Sequence, residues 1–284
     1  MINFYLPNII EFSKLNLTLW DLMKEKPEWF EDNITIGAVY GTFCDAIWNG
    51  GRVLNNIYSE EDILFCLQEY ESRQIPVRFT WTNAKIEEEH LKDDFCNWIM
   101  KTADNGFNEV VINSSLLEEY IRKEYPDYKI ISSTTKCLLN KDEIKEEVSK
   151  YYLTVLDYRK NKDFTFLKDL TKNKVEILLN PSCPLSCKRR KQHYNFLSEL
   201  QLNMTDKDFS CNIIWNNFYD NLEKNSAVIS KEEFYKHYIS LGFTHFKIEG
   251  RSNHPVDVIE SYIYYMVKEE YKDKVRNLLL KAIW

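Results

Sequence analysis

Eight short runs of β-branched and aromatic residues alternate with longer amphipathic stretches along this chain. That alternation constrains the fold more than any other feature of the sequence. The runs lie near Asn3–Leu6, Ile34–Tyr40, Pro76–Thr82 and Glu109–Ser114, then near Lys129–Thr134, Leu153–Tyr158, Lys174–Asn180 and Thr244–Glu249. The stretches between them carry helix-start signals. Ser59 stands three residues before Asp62, the spacing of a capping box, and Asn113-Ser114-Ser115 opens onto Leu116-Leu117-Glu118-Glu119. Strands and helices in strict alternation build a parallel sheet through right-handed crossovers, and eight such units close a barrel. The expected fold is α/β, a (β/α)₈ TIM-type barrel spanning residues 1–284 as a single domain.

One connection breaks the rhythm. About 63 residues, Pro181 to Phe243, separate the seventh strand from the eighth, against roughly 20 to 35 elsewhere. A helix over Arg189–Leu202 uses some of them. The Asn- and Asp-rich part from Asn203 to Ser226 reads as a loop or small lid, and Ser230 with Glu233 caps a second helix before Leu241. Residues 203–243 are therefore expected to form an insertion within the barrel.

Composition excludes several classes of protein. Hydrophobic residues make up 44% of the 284 and aromatics 14%, which fills a large core and excludes disorder. Acidic side chains outnumber basic ones, 44 to 37, for a net charge of −7, so strong nonspecific nucleic-acid binding is not expected. No uninterrupted apolar stretch approaches the ~18 residues of a membrane span, and Met1–Pro7 has no signal-peptide character. A soluble, cytoplasmic protein is the expectation. With only seven glycines, the chain has no GxGxxG, Walker or nucleophile-elbow pattern.

The seven cysteines divide by position. Cys66 and Cys96 fall among apolar helix residues and read as small buried hydrophobes. The other five fall after predicted strands, on the face where a TIM barrel builds its active site. Cys44 follows the second strand and Cys137 the fifth. Cys183 and Cys187 follow the seventh, and Cys211 lies in the insertion. Lys188, Arg189 and Arg190 come directly after Cys187, and positive charge at a helix start lowers a thiol's pKa. Three readings fit these thiols: a structural zinc site, an iron–sulfur cluster, or ordinary loop thiols. His193, just beyond the cysteine pair, suits a ligand or an acid/base.

Strand alternation sends large apolar side chains toward the helices and leaves Arg78, Glu176, Lys247 and Glu249 facing the barrel interior. Glu176 and Lys247 lie on neighbouring strands and are expected to pair, because an unpaired buried charge is costly. Glu249 lies nearest the mouth, beside Asn180, and is the best placed to touch a substrate. After the second strand, Asp45 to Arg52 mixes Trp48, Asn49, Gly50-Gly51 and Arg52, a composition suited to gripping a ligand. Arg52, Arg189, Arg190 and Arg251 together make a cationic rim suited to an anionic small molecule, a carboxylate or a phosphate.

The segment Gly242-Phe243-Thr244-His245-Phe246-Lys247-Ile248-Glu249-Gly250-Arg251 resembles the Gly-x-x-x-(hydrophobic)-Lys-Ile-Glu-Gly-Arg stretch of the collagenase-like peptidase family, number thirty-two among peptidases of unknown catalytic type. The cysteine-bearing loop upstream, with Pro255 and an aromatic helix downstream, is similar too. The close match covers about ten residues, with agreement of element order over the rest. This resemblance implies a TIM-like barrel carrying a 4Fe–4S cluster on four cysteines. It further implies oxygen-independent hydroxylation of RNA bases or quinone precursors, or proteolysis. Carried over position by position, Cys183 and Cys187 are the best-matched ligands and Cys211 follows. The fourth is Cys137 or Cys44, with Cys137 preferred. The family's Gly-x-Leu-Cys and Gly-x-Cys pattern is absent.

The functional expectation is an iron–sulfur enzyme modifying an anionic organic or nucleobase substrate. Glu249 and His193 serve catalysis, Arg52, Asn49, Asn180, Lys247 and Arg251 bind substrate, and Cys137, Cys183, Cys187 and Cys211 hold the metal. The alternatives are a peptidase, for which no Ser–His–Asp or HExxH arrangement is visible, and a non-catalytic barrel with structural zinc or a partner subunit.

Overall fold

The structure, a computed structural model, describes residues 1–54, 56–211, 215–250 and 254–283. Eight parallel strands pair in sequence order and close on themselves: β1 (Ile2–Pro7), β2 (Ile34–Gly41), β3 (Val77–Trp81), β4 (Glu109–Ile112), β5 (Lys129–Ser132), β6 (Leu153–Val155), β7 (Val175–Leu178) and β8 (His245–Lys247). Helices α1 (Ser13–Glu25), α2 (Glu60–Ser72), α3 (Asp94–Thr102), α4 (Ser115–Glu124), α5 (Lys141–Lys150), α6 (Phe164–Asp169) and α7 (Arg190–Gln201) fill the crossovers. The expected (β/α)₈ barrel is present, and each strand falls within or next to its expected run. Ser59 and Asp62 form the anticipated capping box on α2, and the Ser114 side chain caps α4.

Strand alternation sorts the side chains as the pattern requires. Phe4, Val39, Phe79, Trp81, Val110, Ile177 and Phe246 join the layer between barrel and helices. Tyr5, Ala38, Tyr40, Val111, Ile131, Leu153 and Val155 pack together inside the barrel. Among them lie buried charges. Arg78 on β3 donates through Nε to Glu109 at 2.7 Å and through a guanidinium nitrogen to Glu176 on β7, across the barrel. Its guanidinium also stacks on the Tyr5 ring, 3.8 Å from the centroid.

The expected pairing of Glu176 with Lys247 is present, and a closer partner joins it. Glu176 takes Arg78 as its close partner, and Lys247 stands 3.9 Å from Glu176 with its amine 3.6 Å from the Tyr40 ring centroid. A planar guanidinium reaches two carboxylates at once, which the single point charge of a lysine does not. Glu109 went unrecognised because its strand, Glu-Val-Val-Ile, is apolar at every other position and gives no polarity contrast.

The insertion also differs from expectation. After α7 it contains α8 (Phe218–Lys224), capped by Asn217, where the sequence suggests only loop or lid. The helix expected from Ser230 forms as α9 (Lys231–Glu233), with the Ser230–Glu233 capping box, and continues as a π-helical turn, Phe234–Ile239. Beyond β8, α10 (Pro255–Met266) and α11 (Lys272–Ile283) complete the shell. No helix among the described residues is long and apolar enough to cross a membrane.

Candidate functional site

The C-terminal ends of the strands surround a cavity of about 520 Å³. The loop after β7 forms one wall. Asn180 turns its side chain onto the end of β8, donating through Nδ2 to the Glu249 carbonyl at 2.9 Å and accepting from the Glu249 N–H at 2.7 Å. Further along, Trp215 donates from its indole to the Ser182 carbonyl at 2.7 Å, and Asn225 donates to the Pro181 carbonyl at 2.7 Å. The insertion thus fastens to this loop by side chains that satisfy its backbone, as a buried loop requires.

The opposite wall is the loop after β2. Asn49 is buried, accepting from the Gly51 N–H at 3.2 Å and donating to the Arg52 carbonyl at 2.7 Å. It organises the loop and does not line the cavity; Arg52 does. Gly50 is required here, because a Cβ would stand 2.5 Å from the Asn83 Cα and 2.6 Å from the Ser198 Oγ of α7.

Arg190 at the start of α7 sits at the centre. Its guanidinium donates to Asp157, to the Thr134 hydroxyl at 3.0 Å and to the Tyr194 hydroxyl at 3.2 Å, and lies 4.5 Å from the Tyr158 ring centroid. Burial alone raises the pKa of Asp157, but hydrogen bonds from Arg159 and the charge of Arg190 outweigh it, so its carboxyl lies below the ordinary range. Burial likewise opposes the charge of Arg190, and its partners, Asp157 among them, outweigh that cost and keep it protonated. Arg190 is thus a buried cation, paired with Asp157 and backed by the Tyr158 ring at the cavity wall.

His193 and Glu249 both line this cavity, as do Asn180, Cys183 and Cys211. The His193 ring stacks on Phe209 of the insertion at 4.7 Å, and Arg189 covers the same ring at 4.3 Å. Lys247 is absent from the mouth cavity and lines a smaller one inside the barrel, which Arg52 and Gly51 share with it. Arg251 lies outside the described residues.

The predicted metal ligands come into one neighbourhood without converging. Cys183 packs against the cluster of Tyr158, Leu178 and Ala227, and Cys183 and Cys187 both act electrostatically on Tyr158. Cys137 adopts a left-handed conformation (φ 58°) near Arg190. Burial raises its thiol pKa despite that cation. Cys44 donates its thiol to the Leu54 carbonyl at 3.1 Å, and burial raises its pKa as well. Among the described residues, no group of three or more His, Cys, Asp or Glu side chains is placed to hold a metal ion.

Asp157, Tyr158, Tyr194 and Trp215 were not anticipated from the sequence, nor was Asp257, which lines the cavity and accepts from the Phe218 N–H at 3.1 Å. Tyr158 sits where the sixth strand was expected to end, and the actual strand stops at Val155. The signal available was the Asp157-Tyr158-Arg159 triplet, a charged pair flanking an aromatic just past a barrel strand.

No family model matches the sequence. The chain is 27% identical over 198 residues to a protein named "Uncharacterized protease MJ1657" from Methanocaldococcus jannaschii, a match covering 65% of this chain and 57% of that protein. The chain thus spans little more than half the length of this relative. Its fold is similar to that of the solved structure of the U32 peptidase Mk0906, with a TM-score of 0.55 over 90% of this chain and 95% of that one. Sequence identity there is 12%, so the likeness is one of fold.

Proposed function

We propose that this chain, which its sequence relative and its structural neighbour support as a member of the U32 collagenase-like peptidase family, binds and modifies an anionic organic molecule with a planar ring, such as a nucleobase derivative, at the mouth of its barrel. One observation carries this reading. The 520 Å³ cavity combines Arg52 and the aromatic-backed Arg190 with Tyr158, Trp215, His193 and Glu249. The guanidinium groups would hold charge, the aromatic rings would pack a flat ring, and Glu249 would orient the substrate or relay a proton, with His193 as acid or base. Arg251 would add charge at the rim.

The iron–sulfur hydroxylation implied by the resemblance is the finer form of this proposal. Its support is the identity of the thiols and the presence of Cys183 and Cys211 on the substrate cavity. No step is assigned to a cluster. The experiment is iron, zinc and acid-labile sulfide analysis of protein purified without oxygen. About four irons and four sulfides per chain, lost on Cys183→Ala or Cys187→Ala, would support the cluster. One zinc without sulfide would replace it with a structural site, and absence of metal would overturn both.

The peptidase reading is favoured by the name of the sequence relative and by Cys183 and His193 lining one cavity, the residue types of a thiol nucleophile and its base. Metal-independent cleavage of an unfolded protein, abolished by Cys183→Ser, would establish it in place of the first.

A further inference from the structure

The turn between α3 and β4, at the N-terminal face of the barrel, carries a chemistry separate from the mouth. It runs Asp104-Asn105-Gly106-Phe107-Asn108. Asn105-Gly106 is one of two Asn-Gly pairs in the chain, the other being Asn49-Gly50. A backbone nitrogen attacks the carboxamide carbon of the residue before it most readily when it belongs to glycine, since no Cβ crowds the approach. Around Gly106 the space is open: an added Cβ would meet nothing within 4 Å.

The folded turn places three further groups on this reaction. Asn105 Oδ1 accepts from the Phe107 N–H at 3.2 Å and from the Asn108 N–H at 3.0 Å. Two amide donors on one carbonyl oxygen polarise it and stabilise the oxyanion that forms when its carbon is attacked. The Gly106 N–H, for its part, hydrogen-bonds to the Asp104 carboxylate. Partial desolvation and the charge of Asp127 outweigh that bond and raise the pKa of Asp104, which makes it a stronger base. Asp104 and Gly106 are both exposed, so water reaches the turn.

We infer that Asn105 is a self-modification site, at which the Gly106 nitrogen closes onto the Asn105 side chain with Asp104 as the base. Asp104 takes the Gly106 amide proton as the nitrogen bonds to the Asn105 Cγ. The Cγ–Nδ2 bond then breaks, and Nδ2 leaves as ammonia carrying that proton. Water opens the resulting succinimide at either carbonyl and leaves an aspartate or an isoaspartate at position 105. Either product adds one negative charge near Asp104 and Asp127. The isoaspartate also lengthens the main chain ahead of Asn108, whose buried side chain donates to the Ala103 carbonyl at 2.8 Å and accepts from the Val77 N–H at 2.7 Å, joining this turn to β3.

Asn49-Gly50 provides the contrast. Asn49 is 1% exposed, and its Nδ2 donates to the Arg52 carbonyl at 2.7 Å and to Gln201 Oε1 at 3.2 Å. Its leaving nitrogen is held and water is kept away, so this pair should stay intact.

The test is incubation of the full chain in heavy-oxygen water at neutral pH, native and urea-unfolded, followed by digestion in ordinary water and peptide mass spectrometry. Heavy oxygen is expected at position 105 and not at position 49, with aspartate and isoaspartate products, and it should enter faster in the native chain than in urea. Asp104→Ala should slow the native reaction by about ten-fold or more, the effect of losing a general base, and Asn105→Gln should abolish it. A native rate no higher than the rate in urea would overturn the site, because the turn would then contribute nothing. A wild-type rate in Asp104→Ala would overturn the assignment of the base. Equal labelling of position 49 in the native chain would overturn the selection of Asn105 by the fold.

Discussion

Asn180 and Glu249 hold each other across the ends of β7 and β8: one side-chain amide donates to the Glu249 carbonyl and accepts from the Glu249 N–H. The last ladder pair of these strands is Leu178 with Lys247, so the clasp continues their pairing two residues beyond the regular sheet. It fixes the backbone that carries the Glu249 carboxylate into the mouth. Asn180, expected from sequence to bind substrate, lines the mouth and also makes this clasp.

Replacing Asn180 with alanine leaves both Glu249 backbone groups without this partner. The expected cost is about 1–3 kcal/mol of stability, the range for orphaned buried polar groups. Urea unfolding measures it. Asn180→Asp keeps the acceptor but sets a buried carboxylate oxygen against the Glu249 carbonyl, so at neutral pH it should cost at least as much as alanine.

Arg78→Met strands two buried carboxylates. Burial already raises the pKa of Glu109 despite Arg78 beside it, and removing the guanidinium leaves that burial unopposed. A loss of about 3–5 kcal/mol is expected in equilibrium unfolding. Arg78→Lys should recover little of it, because one amine does not reproduce the forked contacts to Glu109 and Glu176.

His245 introduces a pH dependence at the opposite end of the barrel. Its Nδ1 lies 2.6 Å from the Tyr5 hydroxyl, and burial holds the imidazole below its ordinary value. The unfolded chain therefore takes up a proton first as the pH falls. The contribution of His245 is complete above about 6.5 and is lost as the pH drops from there toward the lower native value, at a slope of up to about 1.4 kcal/mol per pH unit. Unfolding at pH 7.5 and pH 5.5 should show this loss in the wild type and a reduced loss in His245→Gln.

Thiol labelling should separate the cysteines by burial. Cys211 is exposed and is expected to react first. Burial pushes the Cys66 thiol up to about 12 and Cys96 well above its ordinary value, so both should stay unlabelled until the chain unfolds. Rapid labelling of either in native buffer would contradict the packing of α2 or α3.

The eight strands, the two capping boxes and the inward direction of Arg78, Glu176 and Lys247 were legible because they depend on local period and on neighbours three residues apart. The mouth residues Arg52, His193 and Glu249 were legible because strand order in a barrel determines which loops share a face. Trp215 and Tyr158 were not, since each enters the cavity through contacts made by a segment remote in sequence: Trp215 with Ser182, Tyr158 with Arg190 and Pro184.

What the sequence determined by itself was the alternation of strand and helix, and with it the barrel and the face that carries its loops. Only the tertiary structure decided the partners. Arg78 reaches Glu176 across the barrel because closure brings β3 and β7 to opposite sides of one narrow interior, where a long guanidinium spans what neighbouring strands do not offer. The cysteines illustrate the converse. Their loops share a face, yet convergence on a metal requires side-chain directions that loop order alone does not set, and among the described residues no three such donors are grouped.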